Sequence, residues 1–364
     1  MGFKCGIVGL PNVGKSTLFN ALTQTSAADA ANYPFCTIET NVGDVAVPDP
    51  RLAALANVAG SAAVIPTRLT FVDIAGLVRG ASRGEGLGNQ FLAHIREVDA
   101  IAHVLRCFAD PGVTHVHANV DPLADANAVE TELLLADLQT LERRREPLAK
   151  KVQGGEKEGA AQLALVDKLL HLVDGGKPAR LAEVSAEERA VFSALQLLTA
   201  KPVLYVCNVD EGSLGGNPMS RLVARRADAE AAGCVTISAK IEAECARLMP
   251  QDRAEFLREL GVAEAGLSKL IVEGYRVLDL ITFFTVGPKE AHAWTVARGT
   301  RAARAAGAIH SDFERGFIRA EIIAAADYLA LGGEAAAKAA GKMRLEGKDY
   351  IVRDGDVMHV RFTS

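Results

Sequence analysis

Eight residues near the amino terminus constrain the fold more than any other stretch of the chain. They read GLPNVGKS at positions 9–16 and match the pattern G-x-x-x-x-G-K-[ST]. A short apolar stretch precedes them at 4–8 and the run TLFNAL follows at 17–22, which predicts a strand, a loop and a helix in that order. Such a loop directs backbone N–H groups and a helix N-terminus at phosphate oxygens. The sequence therefore predicts a phosphate-binding P-loop at the front of an α/β fold.

The residues of this loop have predictable roles. Lys15 is expected to reach the β- and γ-phosphates and to serve in catalysis, and the hydroxyl of Ser16 is expected to bind Mg²⁺. A chance glycine-rich turn is the alternative, but the strand and the helix on either side argue against it. Contacts with the nucleotide are predicted for six consecutive residues, namely Asn12, Val13, Gly14, Lys15, Ser16 and Thr17.

A second apolar stretch, LTFVDIAG at 69–76, ends in the pattern Asp-x-x-Gly. Asp73 is expected to hold Mg²⁺ through water, and the Gly76 amide is expected to contact the γ-phosphate and to relay its loss to the following loop. Between the two motifs, Thr37 and Thr40 are both candidates for a magnesium-binding hydroxyl, and either one could instead be a strand threonine. The predicted metal ligands are thus the P-loop serine, this aspartate and one of the two threonines.

The group that orients the attacking water is not evident from these motifs. Leu77 stands where many GTPases have a glutamine directly after Asp-x-x-Gly. His115, in the stretch DPGVTHVHAN at 110–119, is the first candidate for this role, and His117 lies beside it. An ordinary surface histidine is the alternative, and unchanged hydrolysis in a His115→Ala variant would exclude the catalytic assignment.

Composition narrows the class of protein. A chain of 364 residues with 49% hydrophobic and 23% charged residues predicts two or three globular domains. Its six cysteines include no CxxC pair, which argues against a zinc site and favours a reducing, cytoplasmic location. No apolar run reaches the roughly 18 residues of a membrane span, so no membrane partner is predicted. The net charge of −5 gives no overall indication of nucleic-acid binding: no DNA partner is predicted, and RNA contacts would require local basic patches.

The middle of the chain predicts an antiparallel helical hairpin. Apolar residues recur at helical spacing over 129–152 and again over 163–173, with the turn QGGEKEG between them. Pro147 is expected to kink or break the first helix. The sequence Ser185-Ala-Glu-Glu188 predicts a capping box at the start of the next helix. Five cations on the first helix could meet RNA phosphates or simply face solvent; they are Arg143, Arg144, Arg145, Lys150 and Lys151.

The C-terminal part predicts a small mixed module. The stretch 281–296 alternates like two strands around Gly287-Pro288, and 299–323 predicts a helix, a loop and a strand. The stretch 349–362 predicts two short strands about an Asp-Gly turn. Arg298, Arg301 and Arg304 form a basic strip that could contact phosphates or lie against solvent. These elements are typical of a small β-grasp domain.

Taken together, the stretches 2–23, 32–39, 73–92 and 341–357 resemble the YchF family, a branch of the Obg-related P-loop ATPases and GTPases, and the resemblance covers essentially the whole chain. It implies a P-loop NTPase fold of the α/β class, with a mostly parallel sheet flanked by helices, an inserted α-helical hairpin and a C-terminal β-grasp (TGS) domain. The implied domains are 1–120 with 200–278 for nucleotide binding, 121–199 for the insert and 279–364 for the TGS domain. The resemblance also favours Thr37 over Thr40 as the metal ligand, and it implies ATP hydrolysis with Mg²⁺ and association with the ribosome, with its large subunit and rRNA as partners.

The predicted base-recognition segment departs from the guanine pattern. The strand at 203–207 runs into Asn208-Val209-Asp210-Glu211, where guanine-specific proteins have Asn-Lys-x-Asp. A short aspartate accepts both N1–H and the N2 amino group of guanine, whereas adenine presents an acceptor at N1. Glu211 can swing away, Val209 replaces the lysine stem with a smaller apolar contact, and Asn208 remains as a loop brace or a base contact.

A second segment matches the pattern of guanine-binding proteins. Ser238-Ala239-Lys240 matches the SAK pattern, whose backbone amide normally donates to guanine O6. Because the resemblance agrees with the substituted clamp, the sequence predicts a switch that binds and hydrolyses ATP in preference to GTP and regulates translation or a stress response. A conventional GTPase and a nucleotide-gated binding module with little catalysis are the alternatives.

Overall fold

The computed structural model describes residues 3–30, 41–74, 87–110, 112, 120–154, 158–262 and 264–363. Two six-stranded sheets organise this part of the chain. Within it, no helix combines the length and the apolar composition needed to cross a membrane.

The first sheet is built mainly from the amino-terminal half of the chain. Its strands are β1 Lys4–Val8, β2 Val42–Ala46, β4 Arg68–Asp73, β5 Ala100–Arg106, β6 Val203–Asn208 and β7 Gly233–Ile237. They lie in the order β2-β4-β1-β5-β6-β7, and each neighbouring pair is parallel except β2 and β4. Strands β5 and β6 are buried along their whole length, as expected for the centre of a sheet covered on both faces. The predicted mostly parallel sheet is confirmed.

Helices cover both faces of this sheet because each has one apolar side. They are α1 Lys15–Ala30, α3 Leu87–Glu97, α7 Pro218–Ala229, α8 Ala239–Cys245 and α10 Gly266–Val277, and a further helix, α9 Pro250–Glu259, packs against α8. In α1 the core-facing residues include Leu18 and Leu22, and in α10 they include Leu267 and Ile271, at the spacing of one helix face. The carboxyl ends of the parallel strands meet at one edge, so the loops that follow β1, β4, β6 and β7 converge there.

The insert is the predicted helical hairpin. Its helices are α4 Pro122–Gln153 and α5 Glu158–Asp174, and they enclose a core of their own that includes Leu141, Val166 and Leu169. Asp121 caps α4, since its side chain accepts hydrogen bonds from two backbone N–H groups of the first turn.

Of the two outcomes predicted for Pro147, a kink or a break in the first helix, the break is wrong. Helix α4 is 32 residues long and passes through this proline. Leu141 before Pro147 and Leu148 after it both pack into the hairpin core. Packing on both sides of the proline thus offsets the lost backbone hydrogen bond.

The capping box predicted after the hairpin is present. The backbone N–H of Ser185 donates to Oε2 of Glu188 at 2.9 Å, and the N–H of Glu188 donates to Oγ of Ser185 at 3.3 Å. The regular helix that follows is α6 Arg189–Ala194, a short segment that packs back on the hairpin. This reciprocal pair fixes where the chain turns back toward β6.

A cluster of charges joins the base of the insert to the first sheet. Arg180, after the hairpin, lies 2.5 Å from Glu130 of α4 and 2.6 Å from Glu230, which follows α7. Arg226 contacts both glutamates, and the hydroxyl of Tyr205 donates to Glu230 at 3.0 Å. The five side chains are largely buried, and breaking such a pair leaves an uncompensated charge. They hold the base of the insert in one position on the sheet.

The second sheet forms the C-terminal part. Its strands lie in the order β11-β10-β12-β8-β9-β3, with β3 Ala63–Ile65, β8 Leu280–Val286, β9 Glu290–Ala297, β10 Phe317–Ala324, β11 Arg344–Glu346 and β12 Asp356–Phe362. Strands β8 and β9 form the predicted antiparallel hairpin. The helices here are α11 Ala302–Ile309, α12 Ser311–Arg315, α13 Ala325–Leu331 and α14 Glu334–Ala339.

Two details of this part correct the prediction. A second short helix, α12, occupies the stretch predicted as a loop between α11 and β10. The first of the two predicted closing strands is reduced to one isolated bridge between Arg301 and Ile351. The carboxylate of Asp356 accepts from the N–H of Arg353 and from the hydroxyl of Tyr350, and these bonds form a turn where the strand was expected.

Residues 50–65 belong in part to the C-terminal sheet. Strand β3 pairs in parallel with β9, and helix α2 Pro50–Ala59 buries Leu52 and Leu55 in the same core as Phe284. Arg51 also lies 2.6 Å from Asp354. The predicted domain boundaries stay a prediction, but this packing ties the two sheets together through a segment that the sequence assigned to the nucleotide-binding part.

Candidate nucleotide-binding site

The loop between β1 and α1 lies close against the neighbouring strands. The backbone φ is 153° at Gly9, 62° at Asn12 and 98° at Gly14. A Cβ atom at Gly9 would lie 2.4 Å from the carbonyl oxygen of Val104, and one at Gly14 would lie 2.4 Å from Nδ2 of Asn208. Only glycine fits at these two positions, which explains the glycine spacing of the motif.

Lys15 is the first residue of α1 and reaches back over the loop. Its Nζ donates to the carbonyl oxygen of Leu10 at 2.8 Å, and the residue is only 9% exposed. Burial lowers the pKa of this ammonium group, and the charge of Asp73 acts in the opposite direction. A cation held across such a loop, beside the N-terminus of a helix, is suited to binding phosphate oxygens.

Ser16 and Asp73 form a candidate magnesium site. Oγ of Ser16, in the first turn of α1, lies 3.5 Å from Oδ2 of Asp73 at the end of β4. Burial raises the pKa of Asp73, while the Lys15 charge and the Ser16 hydroxyl lower it. Its Oδ1 is buried and has no hydrogen-bond partner among the residues that the structure describes. Hydroxyl and carboxylate oxygens are the ligands that Mg²⁺ prefers, so the donor set fits a magnesium ion or its bound water.

Asn208 connects three of the predicted segments. At the end of β6 its Nδ2 donates to the carbonyl oxygen of Val13 at 2.9 Å, and its Oδ1 accepts from the backbone N–H of Ala239 at 2.9 Å. The sequence left open whether Asn208 braces a loop or contacts the base. Both ends of its amide are engaged with backbone groups, so Asn208 acts as a brace between the P-loop and the start of α8.

Glu211 forms an ion pair with the start of α8. Its Oε1 lies 2.5 Å from Nζ of Lys240, in the first turn of α8. The hydrogen bond that Lys240 donates to the Glu211 carboxylate raises the pKa of the lysine. The amide that would serve guanine O6, the N–H of Ala239, is donated to Asn208. The two groups that the sequence analysis linked to guanine recognition, the Glu211 carboxylate and the Ala239 N–H, therefore both have partners within the protein.

The remaining predicted nucleotide contacts differ in exposure. The side chains of Ser16 and Thr17 are exposed on the first turn of α1. Ser238 is buried at the N-cap of α8. Val209 is 2% exposed and belongs to the core of the first sheet, which counts against contact between its side chain and a base.

Four predicted residues lie outside the part of the chain that the structure describes. They are Thr37, Thr40, Gly76 and His115. Leu77 and His117 fall outside it as well. Their assignments stay predictions.

Two contributors to the site were not among the predicted residues. Lys240 was identified only as part of the SAK pattern. The opposite charges of Glu211 and Lys240 are the sequence feature that could have predicted their ion pair. The carbonyl of Leu10 is a backbone group, so no side-chain pattern could point to it. The Glu211–Lys240 contact joins two segments that are distant in sequence, whereas the Lys15–Leu10 contact depends on the folded path of the P-loop itself.

The predicted basic strip of the C-terminal part is paired within the protein. Arg298 lies 2.8 Å from Asp279, and Arg301 lies 3.0 Å from Asp349. Arg304 contacts Glu314 at 3.1 Å. These ion pairs reduce the positive potential of the strip. They favour the alternative that the strip is an ordinary solvent-facing surface over a role in phosphate binding.

Comparison with known proteins agrees with the architecture and the site. A family model described as a 50S ribosome-binding GTPase matches residues 4–135, and the model YchF-GTPase_C, described as a protein of unknown function, matches residues 280–363. The chain is 52% identical over 362 residues to the ribosome-binding ATPase YchF of Escherichia coli O157:H7, with 100% of this chain and 99% of that protein covered. It is 50% identical over 365 residues to the protein of the same name from Bacillus subtilis, with both chains covered completely.

A solved structure shows the same fold. The YchF GTPase of Schizosaccharomyces pombe is 37% identical and superposes with a TM-score of 0.90, covering 99% of this chain and 98% of that one. The predicted fold class is confirmed by this match, including the inserted hairpin and the C-terminal module. On the identity and coverage of these relatives, the chain belongs to the YchF family of P-loop nucleotide-binding proteins.

Proposed function

We propose that this protein is a magnesium-dependent ATPase that acts as a nucleotide-operated switch on the ribosome. The observation that carries the choice of ATP is the pairing of Glu211 with Lys240, together with the donation of the Ala239 N–H to Asn208. Full-length relatives at about half identity are named ribosome-binding ATPases, which supports the same activity here.

The choice of base follows from hydrogen-bond accounting. A guanine in this site would bring its N1–H and N2 amino group to the Glu211 carboxylate, which already binds Lys240. Its O6 would meet the Ala239 N–H, which already donates to Asn208. A polar group of the base that the bound complex encloses without a partner costs about 1–3 kcal/mol. Adenine has no N2 amino group and carries an acceptor at N1, so it does not require that carboxylate. The site therefore favours ATP over GTP.

The residues of this chain supply positioning and charge for phosphoryl transfer. The P-loop holds the phosphates through backbone N–H groups, and Lys15 places a positive charge beside the transferring group. Ser16 and Asp73 would hold Mg²⁺, with Thr37 as the third protein ligand, and the bound ion would neutralise charge on the phosphates. Gly76 is proposed to sense the γ-phosphate and His115 to orient the attacking water.

The partners we propose are ATP and ADP, and the ribosome. Contact with the large subunit and its rRNA accords with the description of the matching amino-terminal family model. A cytoplasmic location follows from that partner. We keep the division into a nucleotide-binding part (1–120 and 200–278), an insert (121–199) and a TGS part (279–364) as part of this proposal.

Nucleotide preference is the direct test. In calorimetric titrations the protein should bind ADP at least about fivefold more tightly than GDP, because a lost or unsatisfied polar contact of about 1–3 kcal/mol corresponds to roughly 5- to 150-fold in affinity. A Glu211→Asp variant, whose shorter carboxylate is withdrawn from Lys240, should gain GDP affinity by about tenfold and keep its ADP affinity. Tight GDP binding by the unaltered protein, with no response to ADP, would contradict the proposal and identify a conventional GTPase.

The metal assignment has its own test. An Asp73→Asn variant keeps the size of the side chain but loses its charge, so the Mg²⁺ concentration needed for half-maximal ATP hydrolysis should rise by about tenfold. Titrating Mg²⁺ into the nucleotide complex measures this directly. The matched control is Asp44→Asn on the adjacent strand β2, whose carboxylate accepts from Thr70 and lies outside the proposed ligand set. Equal Mg²⁺ requirements in both variants and the unaltered protein would remove Asp73 from the metal site.

A further inference from the structure

A groove lies along the hairpin, between α4, α5 and α6. Its volume is about 450 Å³, within the range of pockets that hold peptide or small-molecule ligands. Its apolar walls come from all three helices and consist of Pro147, Leu148, Val166, Ala190, Val191, Ala194 and Leu195. The groove is therefore a largely apolar depression on the surface of the insert.

A second depression of about 720 Å³ continues the first one. The two share Arg143, Arg144, Pro147 and Leu195, so they form one surface. The second depression extends it toward α3, where Arg96 lies on the rim. We call the joined surface the hairpin groove.

The charges around the hairpin groove are all positive. Arg96, Arg143, Arg144 and Lys151 line it, and no aspartate or glutamate is among its lining residues. Within the described part of the chain, Arg144 and Lys151 make no ion pair. The cations of α4 that do have carboxylate partners, Arg145 with Asp167 and Lys150 with Glu146, are not lining residues.

We propose that the hairpin groove binds an acidic amphipathic helix of a partner protein. Apolar side chains spaced along one face of such a helix would fill the depression, and its carboxylates would meet the four cations of the rim, the helix-in-groove mode of recognition. This inference does not depend on which nucleotide the protein binds. It assigns Arg143, Arg144 and Lys151, three of the five cations for which the sequence analysis considered both RNA contact and a solvent-facing surface.

The lining favours protein over RNA as the occupant. Single-stranded nucleic acid is bound by stacking on aromatic side chains within a positive groove. None of the residues that line the hairpin groove is aromatic. An apolar floor of aliphatic residues fits leucine-like side chains, and phosphates would leave that floor exposed to water.

Fluorescence anisotropy on the full-length protein tests this proposal. The probe is a labelled helical peptide of about five turns, with leucines at i, i+3, i+4 and i+7 and glutamates elsewhere. It should bind with a dissociation constant on the order of 10 μM. A second peptide of the same composition with the leucines scattered should bind at least about tenfold more weakly, because it has the charge without the apolar face.

Paired variants locate the binding surface. Lys151→Glu reverses a lining cation, and Lys150→Glu makes the same charge change one residue away, outside the groove. The first should weaken binding of the peptide by about tenfold and the second by less than about twofold. Ala194→Glu adds a carboxylate to the floor at an exposed position of α6, so it should also weaken binding without unfolding the helix.

Three results would overturn the proposal. Equal binding of the two peptides would show attraction by charge alone. Equal loss in the Lys150→Glu and Lys151→Glu variants would place the contact elsewhere on α4. Binding of an RNA oligonucleotide that is lost in the Ala194→Glu and Lys151→Glu variants, with no binding of either peptide, would assign the groove to RNA.

Discussion

An alanine in place of Lys15 should lower the turnover number for ATP hydrolysis by at least about a hundredfold, the scale measured when one preorganised donor to a developing negative charge is removed. The ammonium group is held across the P-loop by the carbonyl of Leu10 and is largely shielded from water. Its charge acts more strongly there than in solvent. Single-turnover hydrolysis of ATP measures the chemical step, and ADP affinity measures binding separately.

Two controls separate catalysis from folding and from general charge. Lys4→Ala removes an exposed lysine at the other end of β1, so turnover should stay within about twofold of the unaltered protein. Lys15→Arg keeps the charge but replaces the compact ammonium group with a larger, planar guanidinium group. We therefore expect its turnover to lie between those of Lys15→Ala and the unaltered protein. Unchanged turnover in Lys15→Ala would mean that another group neutralises the γ-phosphate, which would remove the central element of the proposed mechanism.

The sequence predicted most of the fold because local signals and the fold agree over most of the chain. The strand–P-loop–helix unit, the parallel sheet, the hairpin and the β8–β9 pair are each specified by periodicity and turn residues within a short window. The pairing of β3 with β9 was not predictable in this way. It joins residues 63–65 to residues 290–292, and no local pattern distinguishes a three-residue edge strand from a loop.

Pro147 shows that helix propensity alone does not predict where a helix ends. A proline within a helix is unfavourable by about 3 kcal/mol in isolation, which made a kink or break the reasonable expectation. Leu141 and Leu148 are in the hairpin core on either side of it, and their burial in a 32-residue helix decides the outcome. Tertiary packing of this kind cannot be read from the proline and its neighbours alone.

The candidate site was predictable to the extent that its chemistry resides in side chains. Lys15, Ser16 and Asp73 come together as expected, and the substitution at Glu211 was visible in the sequence. The ion pair of Glu211 was not, because its partner Lys240 lies at the start of α8, a separate element. The SAK pattern likewise gave no sign that the Ala239 N–H is donated to Asn208, which is 31 residues away in sequence.

Asn208→Ala should weaken the binding of ADP and of GDP by about a hundredfold each. The variant removes the acceptor of the Ala239 N–H and the donor to the Val13 carbonyl, both of them buried hydrogen bonds. Each unsatisfied buried group costs about 1–3 kcal/mol, and tenfold in affinity corresponds to about 1.4 kcal/mol. Because the brace acts on the shape of the P-loop, the loss should be the same for both nucleotides. A contact of Asn208 with adenine would instead reduce ADP affinity selectively.

Asn208→Asp and Asn217→Ala complete the experiment. The aspartate keeps the acceptor for Ala239 but turns an oxygen toward the Val13 carbonyl, so it should reproduce most of the affinity loss through repulsion at one end of the brace. Asn217 caps α7, and its side chain bonds the Cys107 carbonyl at 2.6 Å and the Ser220 N–H, with no bond to the P-loop among the described residues. Its removal should lower the unfolding temperature and leave nucleotide affinity unchanged. If Asn217→Ala and Asn208→Ala weakened nucleotide binding equally, the effect would follow from general destabilisation. A loss confined to the Asn208 variants and equal for ADP and GDP would mean that this amide holds the P-loop in its binding shape and does not select the base.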